Sequence, residues 1–197
     1  MAAMKEMLDE KFLDKDGETK KCYEKVSADQ ALSKHTTVCQ VLQAGYNSGN
    51  ISDHEFRAMT PQEPKYGRFY GTCKDHKPYT RIPDFRPIAS ICGSITESIG
   101  AYVDYHIRHL MQHIPTHLDD TPDFLRQLEQ LKATVGTFPD DVVPVTIDVS
   151  KLFPSIPIEE GVTAVEEALR KNPSAVTTSF VINLLRLVLT SEFPEFH

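Results

Sequence analysis

The sequence predicts an α+β fold, mostly helices around a few strands, and three features predict it. Several segments carry apolar residues at helical spacing behind capping patterns. The stretch from Lys65 to Arg86 holds glycines and prolines that rule out a helix, yet it is full of aromatics, so two short strands are expected there. The run Val142-Val143-Pro144-Val145-Thr146-Ile147 predicts one further strand, which delivers Asp148 at its end.

Residues 1–13 suit an amphipathic turn or two, and DKDGETKK is a polar break. A helix is expected from about Val26 to Ala44, with Leu32, Val38, Val41 and Leu42 on its core side and Gly45 as its stop. Ser52-Asp53-His54-Glu55 is a capping box that opens a short helix, closed by Thr60-Pro61 because the residue before proline disfavours the helical region. The two strands of the 65–86 window are joined by a loop around His76–Pro83. A second capping pattern, Ser94-Ile95-Thr96-Glu97, precedes a helix with Ile95, Ile99, Tyr102, Val103, Leu110 and Ile114 on one side. Thr121-Pro122-Asp123 offers a capping hydroxyl and then proline at the first helical position, with Phe124, Leu125, Leu128 and Leu131 as the buried stripe. Beyond Asp148, helices are expected from about Ile158 to Lys171 and through FVINLLRLVLT.

Composition bounds the function. The chain has 197 residues, 40% hydrophobic and 25% charged, which is a globular composition, neither disordered nor membrane, and suits a packed core. No apolar run approaches the length of a membrane span. The start MAAMKEMLDEKF carries acids where a signal peptide needs an apolar region, so the protein is expected not to be secreted. Cys22, Cys39, Cys73 and Cys92 are scattered without a C-x-x-C pair, which points to reduced intracellular thiols and away from a zinc site or disulfide framework.

The formal net charge of −7 does not suit a nucleic-acid binder, but the charge is unevenly spread. Residues 65–86 hold Lys65, Arg68, Lys74, Lys77, Arg81 and Arg86 against Asp75 and Asp84, a local +4 that leaves −11 for the remainder. Tyr66, Phe69, Tyr70, Tyr79 and Phe85 are interleaved with those bases. Bases alternating with aromatics are the pattern that grips a polyanion.

Asp148 has two readings on the residues alone. It is either a polar turn residue at a strand end, or a carboxylate held at a sheet edge for a divalent cation such as Mg²⁺, which takes a few carboxylates plus phosphate oxygens. Phe153 is correspondingly a core aromatic or a group touching the metal's ligand. His106, His109 and His113 lie at i, i+3 and i+7, a spacing that can build a zinc site on a helix. No cysteine or acid completes the set on that face, so a solvated or groove-facing histidine row is expected instead.

The stretch D-V-S-K-L-F-P-S-I-P, with Asp148 followed at the fifth position by Phe153, resembles the first catalytic motif of reverse transcriptases, and most of all that of the Penelope-like retroelement enzymes. Upstream, Phe69-Tyr70-Gly71 with Lys74, His76, Lys77 and Pro78 resembles that family's Y-G-L-P-K-I-H-K-P box, and Arg86-Pro87-Ile88 resembles its R-P-I-V box. SITESIGAYVDYHIRHLM and DDTPDFLRQLEQL are similar to its connecting helices, and ISDHEFRAMTP to its lead-in. Thr72-Cys73 stand where the family has Leu-Pro, and Asp75 stands where it has an apolar residue.

The resemblance implies a helical N-terminal extension over 1–62, a fingers-like region over 63–141 and the opening of a palm over 142–197. It implies that Asp148 is catalytic and binds Mg²⁺ with help from the backbone carbonyl of Val149, and that Phe153 lies under the sugar and favours deoxynucleotides. Lys74, Lys77 and Arg86 fall where the fingers supply bases to the triphosphate and the template backbone. RNA template, DNA primer and deoxynucleotide are the partners implied; a membrane is not, and the oligomeric state is left open. Nucleus or cytoplasm is the compartment implied.

The second half of such a site has no counterpart in the sequence. No Y-x-D-D occurs, and the chain reaches TSEFPEFH about where the family has its glycine-rich segment. Glu159 and Glu160 belong to a first helical turn and Asp119-Asp120 to a loop before a cap. The expectation is therefore a partial palm, inactive by itself, whose open strand edge is covered in part by FVINLLRLVLT. Two function classes are open: a portion of an RNA-directed DNA polymerase, or a retroelement-derived module that binds nucleic acid or a protein without chemistry.

Overall fold

A computed structural model describes residues 27–63, 66–74, 85–136, 142–143, 145–149, 152 and 156–191, with the backbone alone of 11–13 and 19–21. The fold is α+β: a bundle of helices accompanied by two separate two-stranded antiparallel sheets. The first sheet pairs β1 (Lys11–Leu13) with β2 (Thr19–Lys21), so the end of the expected polar break is itself a strand and residues 11–13 are not the helical turn expected.

Helix α1 (Ala28–Asn47) starts at Ser27, whose hydroxyl accepts the Gln30 N–H while Gln30 Oε1 accepts the Ser27 N–H at 2.9 Å. That reciprocal box satisfies two of the orphan donors at the helix start. Val38 and Leu42 are fully buried as expected, whereas Leu32 is exposed. Gly45 does not stop the helix. It lies inside it, buried, and a Cβ there would overlap the ring of Phe180, so the glycine permits a close helix–helix approach. The actual stop is one turn later, where Gly49 takes φ 74° and Asn50 N–H reaches back to the Gly45 carbonyl at 2.9 Å.

Helix α2 (Asp53–Met59) is capped as its sequence requires: Ser52 accepts from Glu55 N–H, and the Glu55 carboxylate accepts the Ser52 N–H at 2.7 Å. Those bonds hold the Glu55 carboxyl below its ordinary pKa. Helix α3 (Glu97–Ile107) differs from its expected start. Thr96 is the cap residue but its side chain makes no capping bond; the Glu97 carboxylate instead accepts Gly93 N–H at 2.8 Å, and Ser94 Oγ accepts Thr96 N–H. The chain then tightens into a 3₁₀ segment at Arg108–His113. Three residues per turn in place of 3.6 shifts the phase of the residues beyond it, which explains why Ile114 is exposed despite its α-helical spacing from Leu110.

Helix α4 (Thr121–Val135) begins one residue earlier than expected, capped by Asp120, whose Oδ1 accepts Asp123 N–H at 2.7 Å. Its apolar stripe overturns the sequence expectation: Phe124, Leu125, Leu128 and Leu131 are all exposed, and no residue of the helix is buried. The spacing correctly marks an amphipathic helix, but its apolar side is left exposed.

The core forms around α6 (Thr178–Thr190), which packs against α1, α3 and α5 (Ile158–Lys171). Leu184, Leu42 and Ile99 are fully buried together, and Val181 meets Val162 and Leu169 on the other side of α6. The helix FVINLLRLVLT is thus a central core element whose main packing partners among the described residues are helices. The surface ion pair of Arg186 with Glu159, at 3.0 Å, ties α6 to the first turn of α5.

Residues 142–143 and 145–149 form no strand. Val143 and Val145 are mostly exposed, and Ile147 is 90% exposed. A strand needs a neighbour for its N–H and C=O groups, and the paired strands among the described residues lie elsewhere. The buried strand expected to deliver Asp148 is therefore replaced by open chain.

Candidate nucleic-acid interface

Strands β3 (Arg68–Cys73) and β4 (Phe85–Ser90) form the second sheet, a ribbon paired in the register Arg68↔Ser90, Tyr70↔Ile88 and Thr72↔Arg86. The two short strands expected for the window are present, and the loop between the strands lies outside the described residues. Pro87 lacks a donor, which is tolerated because both strands of a two-stranded ribbon are edges.

Directly opposed residues share a face. One face therefore carries Arg68, Tyr70 and Thr72 beside Ser90, Ile88 and Arg86. Arg68 and Arg86 are exposed, and Tyr70 is 46% exposed between them. Lys74 directly follows β3, and the strand alternation continues this face to it. The opposite face holds Phe69, which is buried, and Gly71, where a Cβ would stand 3.0 Å from the Phe85 ring. The ribbon is two-sided, with an apolar back and a basic front bearing one exposed aromatic ring.

Gly67 fixes where the ribbon closes. A Cβ there would overlap the carbonyl oxygen of Ser90, a backbone atom that cannot rotate away. Gly67→Ala is expected to cost on the order of 2 kcal/mol of ribbon stability. The disappearance of NMR cross-strand contacts between Arg68 and Ser90 would report it, with the contacts inside α6 unchanged.

Lys74 and Arg86, from two separate sequence motifs, are thus carried by one ribbon. Lys77 and Phe153 lie outside the described residues. Asp148 and Val149 are exposed on the open segment after α4. Asp148 and the Val149 carbonyl supply oxygen donors of the kind Mg²⁺ takes. Among the described residues, however, no group of three histidines, cysteines, aspartates or glutamates could hold a metal ion, so Asp148 is not joined there to the carboxylates of a two-metal centre.

Arg68 and Tyr70, which the sequence places in the basic and aromatic window without assigning them a site role, join the front of the ribbon. The signal for them is present in the period of two that starts at Arg68, but placing them beside Arg86 needs the strand register. Of the histidine row expected to be solvated or groove-facing, His113 is exposed and His109 half-buried, whereas His106 is buried. Among the described residues, no helix is long and apolar enough to cross a membrane. No protein-family model, curated protein or solved structure matches the chain.

Proposed function

We propose that this chain is a portion of an RNA-directed DNA polymerase, in which the β3–β4 ribbon is the surface that contacts template and nucleotide. The observation that carries the reading is the Thr72↔Arg86 pairing. It sets the base of the R-P-I box beside the strand that runs into Lys74, so cations from two separate motifs serve one face. Phosphoryl transfer relies on positioning and charge neutralisation, and cations so arranged suit triphosphate and backbone phosphates. The order of the three motifs along the sequence supports the same reading, with Lys77 as a further base for phosphate and Phe153 selecting the sugar.

Within that reading Asp148 and the Val149 carbonyl are the Mg²⁺ ligands of the palm. One carboxylate does not make up a two-metal centre, so no catalytic step is assigned to the chain alone. Primed RNA template with deoxynucleotides and Mg²⁺ is expected to be bound but not extended. Mg²⁺-dependent extension that disappears in Asp148→Ala would overturn this expectation.

The exposure of the 145–149 segment favours a second reading, a retroelement-derived module that grips nucleic acid without chemistry. The two readings separate on labelled deoxynucleotide. Mg²⁺-dependent triphosphate binding that vanishes in Asp148→Ala supports the polymerase portion. RNA binding that depends on Lys74 and Arg86, with no triphosphate binding, supports the module.

A further inference from the structure

We propose that His106 and His109 form a pH-sensitive clasp holding the α5–α6 turn to helix α3. Two bonds that are distant in sequence meet at this joint. His106 Nδ1 and Ser174 Oγ share a hydrogen bond of 2.5 Å, and His109 Nε2 donates to the Asn172 carbonyl at 3.0 Å. Asn172 is the residue that ends α5, so the clasp fixes the turn by which α5 folds back onto α6. The residues between Asn172 and Thr177 contain no helical turn of their own to hold them.

His106 is buried, 6% exposed. Tyr102 lies against it at 4.4 Å between ring centres, and Tyr105 meets it edge-on at 5.2 Å. The Tyr102 hydroxyl is itself buried without a hydrogen-bond partner, so no polar group of that neighbour compensates a charge on the ring. Burial is the largest influence on His106 and pushes its pKa below the ordinary 6.5; His109, from the 3₁₀ segment, pushes the same way, while Glu55, from α2, opposes both. Glu55 is committed to the Ser52 cap, which limits its approach to the imidazole. The turn after α5 contributes only the neutral hydroxyl of Ser174 to the ring.

A histidine whose folded pKa lies below its unfolded value binds a proton more readily when the joint is open. The clasp is therefore at full strength above pH 6.5 and weakens as pH falls through the folded pKa of His106. The opened state lets the ring reach water and separates the turn from α3.

The test is an NMR pH titration of the full chain from about pH 8 to about pH 5, spanning the histidine range. The His106 ring resonance is expected to titrate with a midpoint below 6.5, and the Asn172 and Ser174 amides to shift with that same midpoint. In Ser174→Ala the amide shift at that midpoint vanishes and the His106 midpoint moves toward 6.5. His109→Gln provides the second arm: relief of its opposition moves the His106 midpoint upward. A His106 midpoint at or above 6.5, or turn amides that do not follow it, would overturn the proposal.

Discussion

Leu184→Ala is expected to remove about 2–5 kcal/mol of stability, a large share of the roughly 5–15 kcal/mol available to a domain. Leu184 is fully buried on α6, among Leu42, Ile99 and the other side chains of the larger core cluster. The helices around it cannot close the gap, because α6 already contacts α1 and α3 across that site and Gly45 sits against Phe180. Urea unfolding should show the midpoint falling while the slope is kept. Leu128→Ala supplies the contrast. The same substitution on the exposed stripe of α4 is expected to change stability by no more than about 0.5 kcal/mol. Equal destabilisation at the two positions would mean that the α4 stripe is covered in solution.

Reversing both arginines of the ribbon, Arg68→Glu with Arg86→Glu, is expected to weaken binding of single-stranded RNA by about two orders of magnitude. Each charge-assisted bond to phosphate contributes about 1.5–3 kcal/mol, and about 1.4 kcal/mol is tenfold in affinity. Both side chains lie on one face of an exposed ribbon and are not core residues, so the helical bundle is left intact. Fluorescence anisotropy reads the affinity and circular dichroism checks that the helices remain. Tyr70→Ala acts on the same face by another route. An exposed aromatic between cations offers a surface on which an unpaired base stacks, worth about 1–3 kcal/mol per base. Its removal should lower the affinity without changing the salt dependence.

The helices are largely legible in the sequence because their signals are local. Ser52 caps its helix with Glu55, three residues on, as its pattern requires, and the apolar spacing of Val38 and Leu42 or of Ile99 and Val103 names their buried faces directly. The β3–β4 pairing is legible for the same reason, since glycines and prolines exclude a helix and leave alternation as the remaining pattern. What covers a face is not a local property. Phe124, Leu128 and Leu131 have the period of a buried stripe, and Val143, Val145 and Ile147 the composition of a buried strand, yet all are exposed. Burial of those residues requires a neighbour that their own sequence does not specify. Gly45 carries the converse lesson: a glycine near a helix end suggests a stop, but the approach of Phe180 makes it a packing residue.

The candidate site divides along the same line. Lys74 and Arg86 stand out by local charge and motif order; Arg68 and Tyr70 lie in the same window, but their place on one face with Arg86 depends on the register of two strands separated along the chain. His106 is visible as a member of a row, but its burial depends on the turn at Ser174, 68 residues away. Non-local partners of this kind are not written in any single stretch of sequence.

The central claim is that the basic front of the ribbon binds nucleic-acid phosphate. The most direct test is the salt dependence of single-stranded RNA binding by the unsubstituted chain, by Lys74→Ala with Arg86→Ala, and by Asp148→Ala. The slope of log affinity against log salt should fall by about 0.7 for each phosphate that the Lys74 and Arg86 variant no longer neutralises, and Asp148→Ala should match the unsubstituted chain. A slope that Lys74 and Arg86 do not change, or the absence of salt-dependent binding, would contradict it.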